Sequence, residues 1–317
     1  IINFINISVE VQTVRDKLSV LKEYFGHDSF REGQDRITDS LLGGRDVLGI
    51  MPTGAGKSIC YQVPALMYDG ITIVVSPLIS LMKDQVSALV QSGVAAAYIN
   101  SSLTHAQYLK VLQNTESGKY KIIYVAPERL CAPAFLGICR NLNISMIAVD
   151  EAHCVSQWGQ DFRPSYLKIP DFIDALNSRP VVGAFTATAT GAVRDDIKTL
   201  LRLVSPLVVT TGFDRPNLFF SVMQPKNKSI ELMKLIKERK NESGIVYCST
   251  RKAVEEVCEL LQKNGFAATR YHAGLDENER RRNQDDFVYD RATIMVATNA
   301  FGMGIDKSNV SFVIHYN

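Results

Sequence analysis

The sequence predicts an α/β protein with two tandem domains, each built on a parallel sheet. The first observation is its length: 317 residues exceed one ordinary domain, and 46% hydrophobic residues suffice for a proper core. The second is a series of short apolar runs rich in β-branched side chains, which is typical of strands buried on both faces. The third is that amphipathic segments separate these runs, as the helices of a doubly wound sheet do.

The predicted strands and helices alternate along the chain in two successive sets. The first set has strands at residues 47–51, 71–75, 122–125, 146–149 and 181–185, with helices that include 78–91 and 191–203. The second set has strands at 244–248, 267–271, 293–297 and 310–315, with helices at 251–264 and 276–289. Turn-forming residues at 210–217 indicate a hinge, so we predict domains at 1–211 and 212–317.

Composition and charge exclude several classes of protein. No apolar run reaches the roughly 18 residues of a membrane-spanning helix, and residues 1–10 lack the features of a signal peptide. A net charge of +2 is too small for nucleic-acid binding by bulk charge, so such binding needs a local patch. None of the six cysteines forms a Cys-x-x-Cys pair. We therefore expect reduced cysteines, no zinc site within this chain, no membrane contact, and a location in the cytoplasm, or in the nucleus of a eukaryote.

A glycine-rich turn between a predicted strand and a predicted helix indicates a phosphate-binding loop. It reads Pro52-Thr53-Gly54-Ala55-Gly56-Lys57-Ser58. The glycines allow backbone N–H groups to surround phosphate oxygens, and the helix that follows adds a favourable dipole. Lys57 can reach the β- and γ-phosphates, and the Ser58 hydroxyl can ligate magnesium. The usual pattern has glycine where Met51 stands, so this loop is a variant.

Two adjacent acids follow another predicted strand, at Asp150-Glu151. Asp150 is expected at the carboxyl edge of the sheet, where its carboxylate can hold magnesium. Glu151 is placed to orient and deprotonate the attacking water. Together with the phosphate loop, the two acids predict a nucleoside triphosphatase.

These residues resemble the motifs of superfamily 2 helicases, which do not require the first glycine of the loop. The matching segments are the loop at 52–58, Asp150-Glu151-Ala152-His153 and Phe185-Thr186-Ala187-Thr188. Further segments resemble motifs of RecQ DNA helicases: Phe30-Arg31-Glu32-Gly33-Gln34, residues 76–85, Ala126-Pro127-Glu128-Arg129-Leu130, Phe213-Asp214-Arg215-Pro216-Asn217, Tyr271-His272-Ala273-Gly274-Leu275 and residues 300–306. The resemblance covers about residues 20–317. It implies two RecA-like domains, the second incomplete at its C-terminal end.

The resemblance also implies roles for individual residues. In the nucleotide site, Gln34 would read the adenine edge, Arg31 would support the nucleotide and His27 would stack on adenine, although a surface-loop role explains His27 equally well. His153 joins Lys57 and the two acids as a catalytic candidate. The other nucleotide contacts would be Thr53, Gly54, Ala55, Gly56, Gly304 and Asp306, and those that bind DNA or couple it to the nucleotide would be Ser76, Pro77, Thr186, Thr188 and Thr298.

A polar loop after the acids, at residues 153–164, contains the only tryptophan of the chain, Trp158. Aromatic side chains stack on unpaired bases regardless of base identity, and a nearby arginine can contact phosphate. The alternative is a purely structural role, in which Trp158 and Phe162 form a small hydrophobic cluster under the loop. The segment resembles the aromatic-rich loop of RecQ helicases, in which Trp158, Phe162 and Arg163 would link single-stranded DNA binding to ATP hydrolysis.

The predicted function is ATP-dependent, 3′-to-5′ unwinding of DNA with ATP and Mg²⁺, in repair or recombination. Partly duplex DNA is the expected partner, and a monomer is favoured. One alternative is an RNA helicase. Two features argue against it: His153 in place of aspartate, and the aromatic loop. The other is a nucleotide-gated DNA-binding module, because the family's arginine-bearing motif would follow Asn317. On that ground we expect this chain to bind ATP but to hydrolyse it slowly.

Overall fold

The computed structural model describes residues 16–159, 161–212, 217–299, 301 and 307–316. The chain divides into two compact units, Ile1–Asp214 and Arg215–Asn317. Residues 213–216 of the sequence-predicted hinge and residues 302–306 of the last family motif lie outside the described residues. Each unit is built on its own parallel sheet, as the sequence predicts.

The described part of the first unit contains a sheet of seven parallel strands in the order β3-β4-β2-β5-β6-β1-β7. Every residue of the second and fourth strands is buried, because helices cover both faces of the sheet. The five strands predicted for this domain are confirmed. The bounds are β1 Val47–Ile50, β2 Ile71–Val75, β3 Ala96–Ile99, β4 Ile122–Val125, β5 Ile144–Val149, β6 Val181–Thr186 and β7 Leu207–Thr210.

Two buried clusters lie on the two faces of this sheet. Along β1, Leu48 belongs to one cluster and Val47 to the other, because successive side chains of a strand point to opposite faces. No described helix is long and apolar enough to cross a membrane. The helix bounds are α1 Lys17–Phe25, α2 Gln34–Leu42, α3 Lys57–Met67, α4 Ile79–Gln91, α5 His105–Glu116, α6 Pro133–Arg140, α7 Ile169–Asp174 and α8 Gly191–Leu200, with 3-10 turns at Pro127–Arg129, Ala152–Val155 and Pro164–Lys168.

The described part of the second unit has four parallel strands in the order β11-β8-β10-β9. All four strands predicted for this domain are confirmed. The bounds are β8 Ser243–Cys248, β9 Ala268–Tyr271, β10 Ile294–Ala297 and β11 Val310–Tyr316, with helices α9 Lys228–Glu238, α10 Arg251–Lys263 and α11 Glu277–Val288. A buried cluster that includes Leu232, Val254 and Val296 joins the first two of these helices to the sheet.

The order of strands in the first unit gathers the motifs at one edge of its sheet. Strands β2, β5, β6 and β1 are neighbours and parallel, so their carboxyl ends lie side by side. Those ends lead into Ser76, Asp150, Thr186 and the phosphate loop, respectively. The carboxyl edge of an open α/β sheet is where such folds bind ligands.

A buried carboxylate fastens the opposite end of the same strands. Asp46, directly before β1, is 2% exposed. It accepts hydrogen bonds from the backbone N–H groups of Val182 at 2.9 Å and Val204 at 2.7 Å. It also accepts two hydrogen bonds from the Arg179 guanidinium, at 2.5 and 3.1 Å. One side chain thereby joins the starts of β1 and β6 to the segment that leads into β7.

Candidate nucleotide and nucleic-acid site

The phosphate loop connects β1 to α3 and is shaped by two glycines in left-handed conformations. Gly54 has φ +82° and Gly56 has φ +78°, which L side chains rarely adopt. A Cβ on Gly54 would meet no atom within 4 Å, so space is open beside the loop, as a phosphate cradle requires. The ammonium group of Lys57 donates to the Met51 carbonyl at 3.2 Å. The residues of this loop therefore fit the phosphate chain of a nucleotide.

Met51 occupies the position where many phosphate loops have glycine, and the structure shows why it is tolerated. Its side chain is fully buried in the core, and its N–H donates to the Thr186 carbonyl at 3.0 Å. Met51 therefore extends the pairing of β1 with β6 and stays outside the phosphate cradle.

The side chain of Gln34 stabilises the phosphate loop through hydrogen bonds to its backbone. Its side chain is 3% exposed, donates to the carbonyls of Ala55 at 3.0 Å and Gly56 at 3.1 Å, and accepts from the Arg31 N–H at 2.8 Å. The Arg31 guanidinium donates to the Gly54 carbonyl at 2.7 Å. Both predicted residues thus lie against the loop, while their contacts with a nucleotide stay predictions. His27 is exposed beside them in sequence, which leaves both of its readings open.

The two acids lie at the end of β5 in different environments. Asp150 is 7% exposed, and the Glu151 N–H donates to its carboxylate at 3.0 Å. Burial, followed by the charge of Glu151, raises the pKa of Asp150 to about 7. Burial acts in the same direction on Glu151, but the hydrogen bond and charge of His153 together with Lys57 outweigh it, so the pKa of Glu151 is lowered. The two neighbouring acids therefore differ in proton affinity.

Glu151 adopts a left-handed backbone conformation, with φ +46°. For a residue other than glycine this conformation costs roughly 1–3 kcal/mol and persists only where the surroundings impose it. The Tyr166 hydroxyl donates to the Asp150 carbonyl at 2.9 Å and helps to impose it. Tyr166 is fully buried and was not among the predicted site residues, because no local motif connects it with the acids.

His153 links the acids to the next strand. Its Nδ1 atom lies 2.9 Å from the Thr186 hydroxyl and 3.3 Å from the Glu151 carboxylate. Thr186 donates its one hydroxyl proton to the Thr188 carbonyl at 3.0 Å, so we assign the proton between His153 and Thr186 to Nδ1. The structure therefore brings four of the predicted residues together: hydrogen bonds join His153, Thr186 and Thr188, and Glu151 contacts His153 at 3.3 Å.

The aromatic-rich loop presents its tryptophan to solvent. The side chain of Trp158 is 78% exposed, so the core interpretation fails for this residue, whereas Phe162 is half-buried. Arg163 donates to Asp161 at 2.8 and 2.9 Å and to the Pro77 carbonyl at 2.8 Å. The loop is thus tied to the segment after β2, which holds the predicted strand-contact residues. Ser76 itself is fully buried, and its hydroxyl has no partner among the described residues.

The second unit carries fewer described candidates. Thr298 follows β10, is half-buried, and donates its N–H to the Tyr271 carbonyl at 3.1 Å. Gly304 and Asp306 lie outside the described residues. His272, in a motif given no individual role, is 5% exposed and contacts Glu255 at 2.7 Å.

Two family models match the chain in sequence. The DEAD/DEAH box helicase model matches residues 31–197, and the helicase conserved C-terminal domain matches residues 227–317. The chain belongs to the DEAD/DEAH box helicase family. The first match contains the phosphate loop, the two acids and the aromatic-rich loop, and the second contains all four strands of the second sheet.

Sequence relatives of the chain include proteins named as RecQ helicases. The ATP-dependent DNA helicase RecQ of Bacillus subtilis (strain 168) is 48% identical over 94% of this chain and 50% of its own length. The protein of the same name from Pasteurella multocida (strain Pm70) is 44% identical over 97% of this chain and 49% of its own length. The chain fits a RecQ-family helicase core of superfamily 2, and it spans about half the length of these relatives.

Solved structures confirm the fold. Saccharomyces cerevisiae Dbp5 bound to RNA and ADP BeF3 has a TM-score of 0.74 and 20% identity, over 96% of this chain and 78% of that one. The DUF1998 helicase MrfA bound to DNA has a TM-score of 0.73 and 18% identity, over 96% of this chain and 45% of that one. Identities this low support the fold alone.

Proposed function

We propose that this chain is the motor core of an ATP-dependent DNA helicase of the RecQ type. The observation that carries the proposal is the common edge of β2, β5, β6 and β1, where the phosphate loop, the two acids and the base of the aromatic-rich loop meet. The named RecQ relatives support DNA as the nucleic acid. The 3′-to-5′ direction, the role in repair or recombination, the monomeric state, the cellular compartment and the boundary at 211/212 are parts of the same proposal.

The residues of the phosphate loop would hold ATP and its magnesium ion. The N–H groups around Gly54 and the ammonium of Lys57 would bind the phosphates, with Ser58 and Asp150 as the protein ligands of the metal. Bound magnesium neutralises phosphate charge and favours the ionised carboxylate of Asp150. Glu151, whose pKa is lowered, is ionised at neutral pH and can accept a proton from water.

DNA would bind at the aromatic-rich loop. Trp158 is free to stack on an unpaired base because no core packing occupies its ring. Arg163 keeps the loop against the Pro77 carbonyl, and His153 connects its base to Thr186 and Glu151. A base stacked on the loop would therefore act on residues that touch the proposed catalytic acid.

The test is ATP hydrolysis with and without single-stranded DNA, with single-stranded RNA as a comparison and Lys57→Ala as the blank. We expect turnover that rises with DNA, and a loss of about 10²- to 10³-fold in the blank, the range for removing one preorganised electrostatic contact. Stimulation by RNA above that by DNA would contradict the DNA assignment. A rate equal to the blank under all conditions, with ATP still bound, would support the binding-only alternative.

A further inference from the structure

The aromatic-rich loop is held by a contact outside the sequence motif. The Ser156 side chain is fully buried, and its hydroxyl donates to the Asp196 carboxylate at 2.6 Å. An O–H···O⁻ bond of this length is charge-assisted and stronger than a neutral one. Asp196 lies on α8, 40 residues further along the chain.

The same Ser156 oxygen sets the backbone of the tryptophan. A serine hydroxyl has one proton, and here the proton goes to Asp196, which leaves the oxygen free to accept. It accepts from the Trp158 N–H at 3.1 Å. Asp196 therefore orients the Ser156 hydroxyl, and that hydroxyl fixes the Trp158 backbone.

The turn between these residues leaves little freedom. The Gly159 N–H donates to the Ser156 carbonyl at 3.0 Å and closes the turn. A Cβ on Gly159 would lie 2.4 Å from the His153 carbonyl oxygen, so only glycine fits. The backbone is thus tightly constrained, while the Trp158 side chain is 78% exposed. The position of the ring depends on the backbone that carries it.

Helix α8 follows directly on the residues that contact His153. It begins after its N-cap Thr190, two residues beyond Thr188. Its buried residue Ile197 shares a cluster with Val155, so the helix also packs against the start of the loop. Strand β6 therefore contacts the loop at His153, and helix α8 contacts it at Ser156.

We infer that Asp196 is a positioning residue for the aromatic-rich loop, and that its hydrogen bond to Ser156 sets how tightly the loop grips single-stranded DNA. The inference rests on the proposed function for its DNA part. The described hydrogen bond of Asp196 goes to the loop residue Ser156. Asp196 acts through the buried hydroxyl, and it keeps Trp158 presented for stacking before DNA arrives.

The single tryptophan of the chain makes the inference measurable without DNA. We would record the fluorescence anisotropy decay of Trp158 in this chain and in Asp196→Ala, Ser156→Ala and Asp195→Ala. Asp195 is the matched control, because it neighbours Asp196 on the same helix but is exposed and pairs with Lys198. We expect faster local motion of Trp158 in Asp196→Ala and Ser156→Ala. In the control Asp195→Ala, the motion of Trp158 should equal that in the unaltered chain. Equal decays in all four proteins would overturn the inference.

The second measurement is binding of a fluorescein-labelled oligothymidylate. We expect Asp196→Ala and Ser156→Ala each to weaken binding by about tenfold, the equivalent of one such hydrogen bond. The double variant should bind no more weakly than Ser156→Ala alone, because Asp196 acts through the Ser156 hydroxyl that this variant already lacks. Freed tryptophan motion with unchanged DNA affinity would overturn the inference, as would additive losses.

The two measurements separate this inference from the proposed function. If the unaltered chain binds no oligothymidylate, the proposed function fails, and the anisotropy decay still decides whether Asp196 holds the loop. Should Asp196→Ala fail to fold, Asp196→Asn keeps the shape and an acceptor oxygen but loses the charge. We expect Asp196→Asn to free the motion of Trp158 and to weaken DNA binding in the same direction as Asp196→Ala, but by less. If Asp196→Asn and Ser156→Ala both matched the unaltered chain in these two measurements, the inference would be overturned.

Discussion

Replacing Asp46 by alanine should destabilise the first unit, because one carboxylate serves several groups there. The variant removes the acceptor of the buried Val182 N–H and of the part-buried Val204 N–H. An unsatisfied buried group costs about 1–3 kcal/mol. The Arg179 guanidinium is 39% exposed and regains water, so its lost ion pair adds little. We expect the free energy of unfolding of this unit to fall by about 3 kcal/mol in total.

The assay is urea unfolding monitored by circular dichroism, with Asp174→Ala as the matched control. Asp174 is also paired with an arginine, Arg202, but both side chains are about 60% exposed. Such a surface pair contributes about 0–1 kcal/mol. With a slope of roughly 2–3 kcal/mol per molar urea, Asp46→Ala should lower the midpoint of this unit by about 1 M. A midpoint equal to that of Asp174→Ala would refute the reasoning.

Three further changes test the site directly. Gln34→Ala should weaken ATP binding by about 10- to 30-fold, measured by titration with a fluorescent ATP analogue, because the phosphate loop loses two hydrogen bonds; unchanged affinity would contradict the bracing role. Trp158→Ala should reduce the affinity for single-stranded DNA by roughly 1–3 kcal/mol while ATP binding stays the same, and a loss of both would point to misfolding instead. Gly159→Ala should lower DNA-stimulated ATP hydrolysis, because its Cβ would lie 2.4 Å from a backbone oxygen, whereas Gly191→Ala, with open space around it, serves as the neutral control.

In the first unit, the five strands that the sequence predicted are continuous apolar runs. Strand β3, Ala96–Ile99, was not among them, because two of its four residues are alanines, which are depleted in strands. Strand β7, Leu207–Thr210, lies at the edge of the sheet beside the predicted hinge, and its apolar run was not assigned. Its place beside β1 is fixed by hydrogen bonds such as Leu207 N–H to the Asp46 carbonyl, which local sequence does not specify.

The residues of the candidate site also fall into two groups: those that a short motif identifies and those that only the packing of the chain brings to the site. Lys57, Asp150 and Trp158 stand out because each lies in a short motif with a chemical meaning. Tyr166 and Asp196 carry no such signal. Their partners, the Asp150 carbonyl and the Ser156 hydroxyl, lie 16 and 40 residues away and are brought near only by the packing of the chain.

The geometry of the first unit argues that coupling between DNA and nucleotide needs no long pathway. Three described hydrogen bonds join the aromatic-rich loop to elements that lead to or from the nucleotide edge. Arg163 is bound to the Pro77 carbonyl after β2, His153 to Thr186 at the end of β6, and Ser156 to α8. A base that shifts the loop when it stacks is therefore expected to change at least one of these contacts. His153 also contacts Glu151 at 3.3 Å. A change in the position of His153 would therefore act directly on the proposed catalytic acid, two residues earlier in the chain.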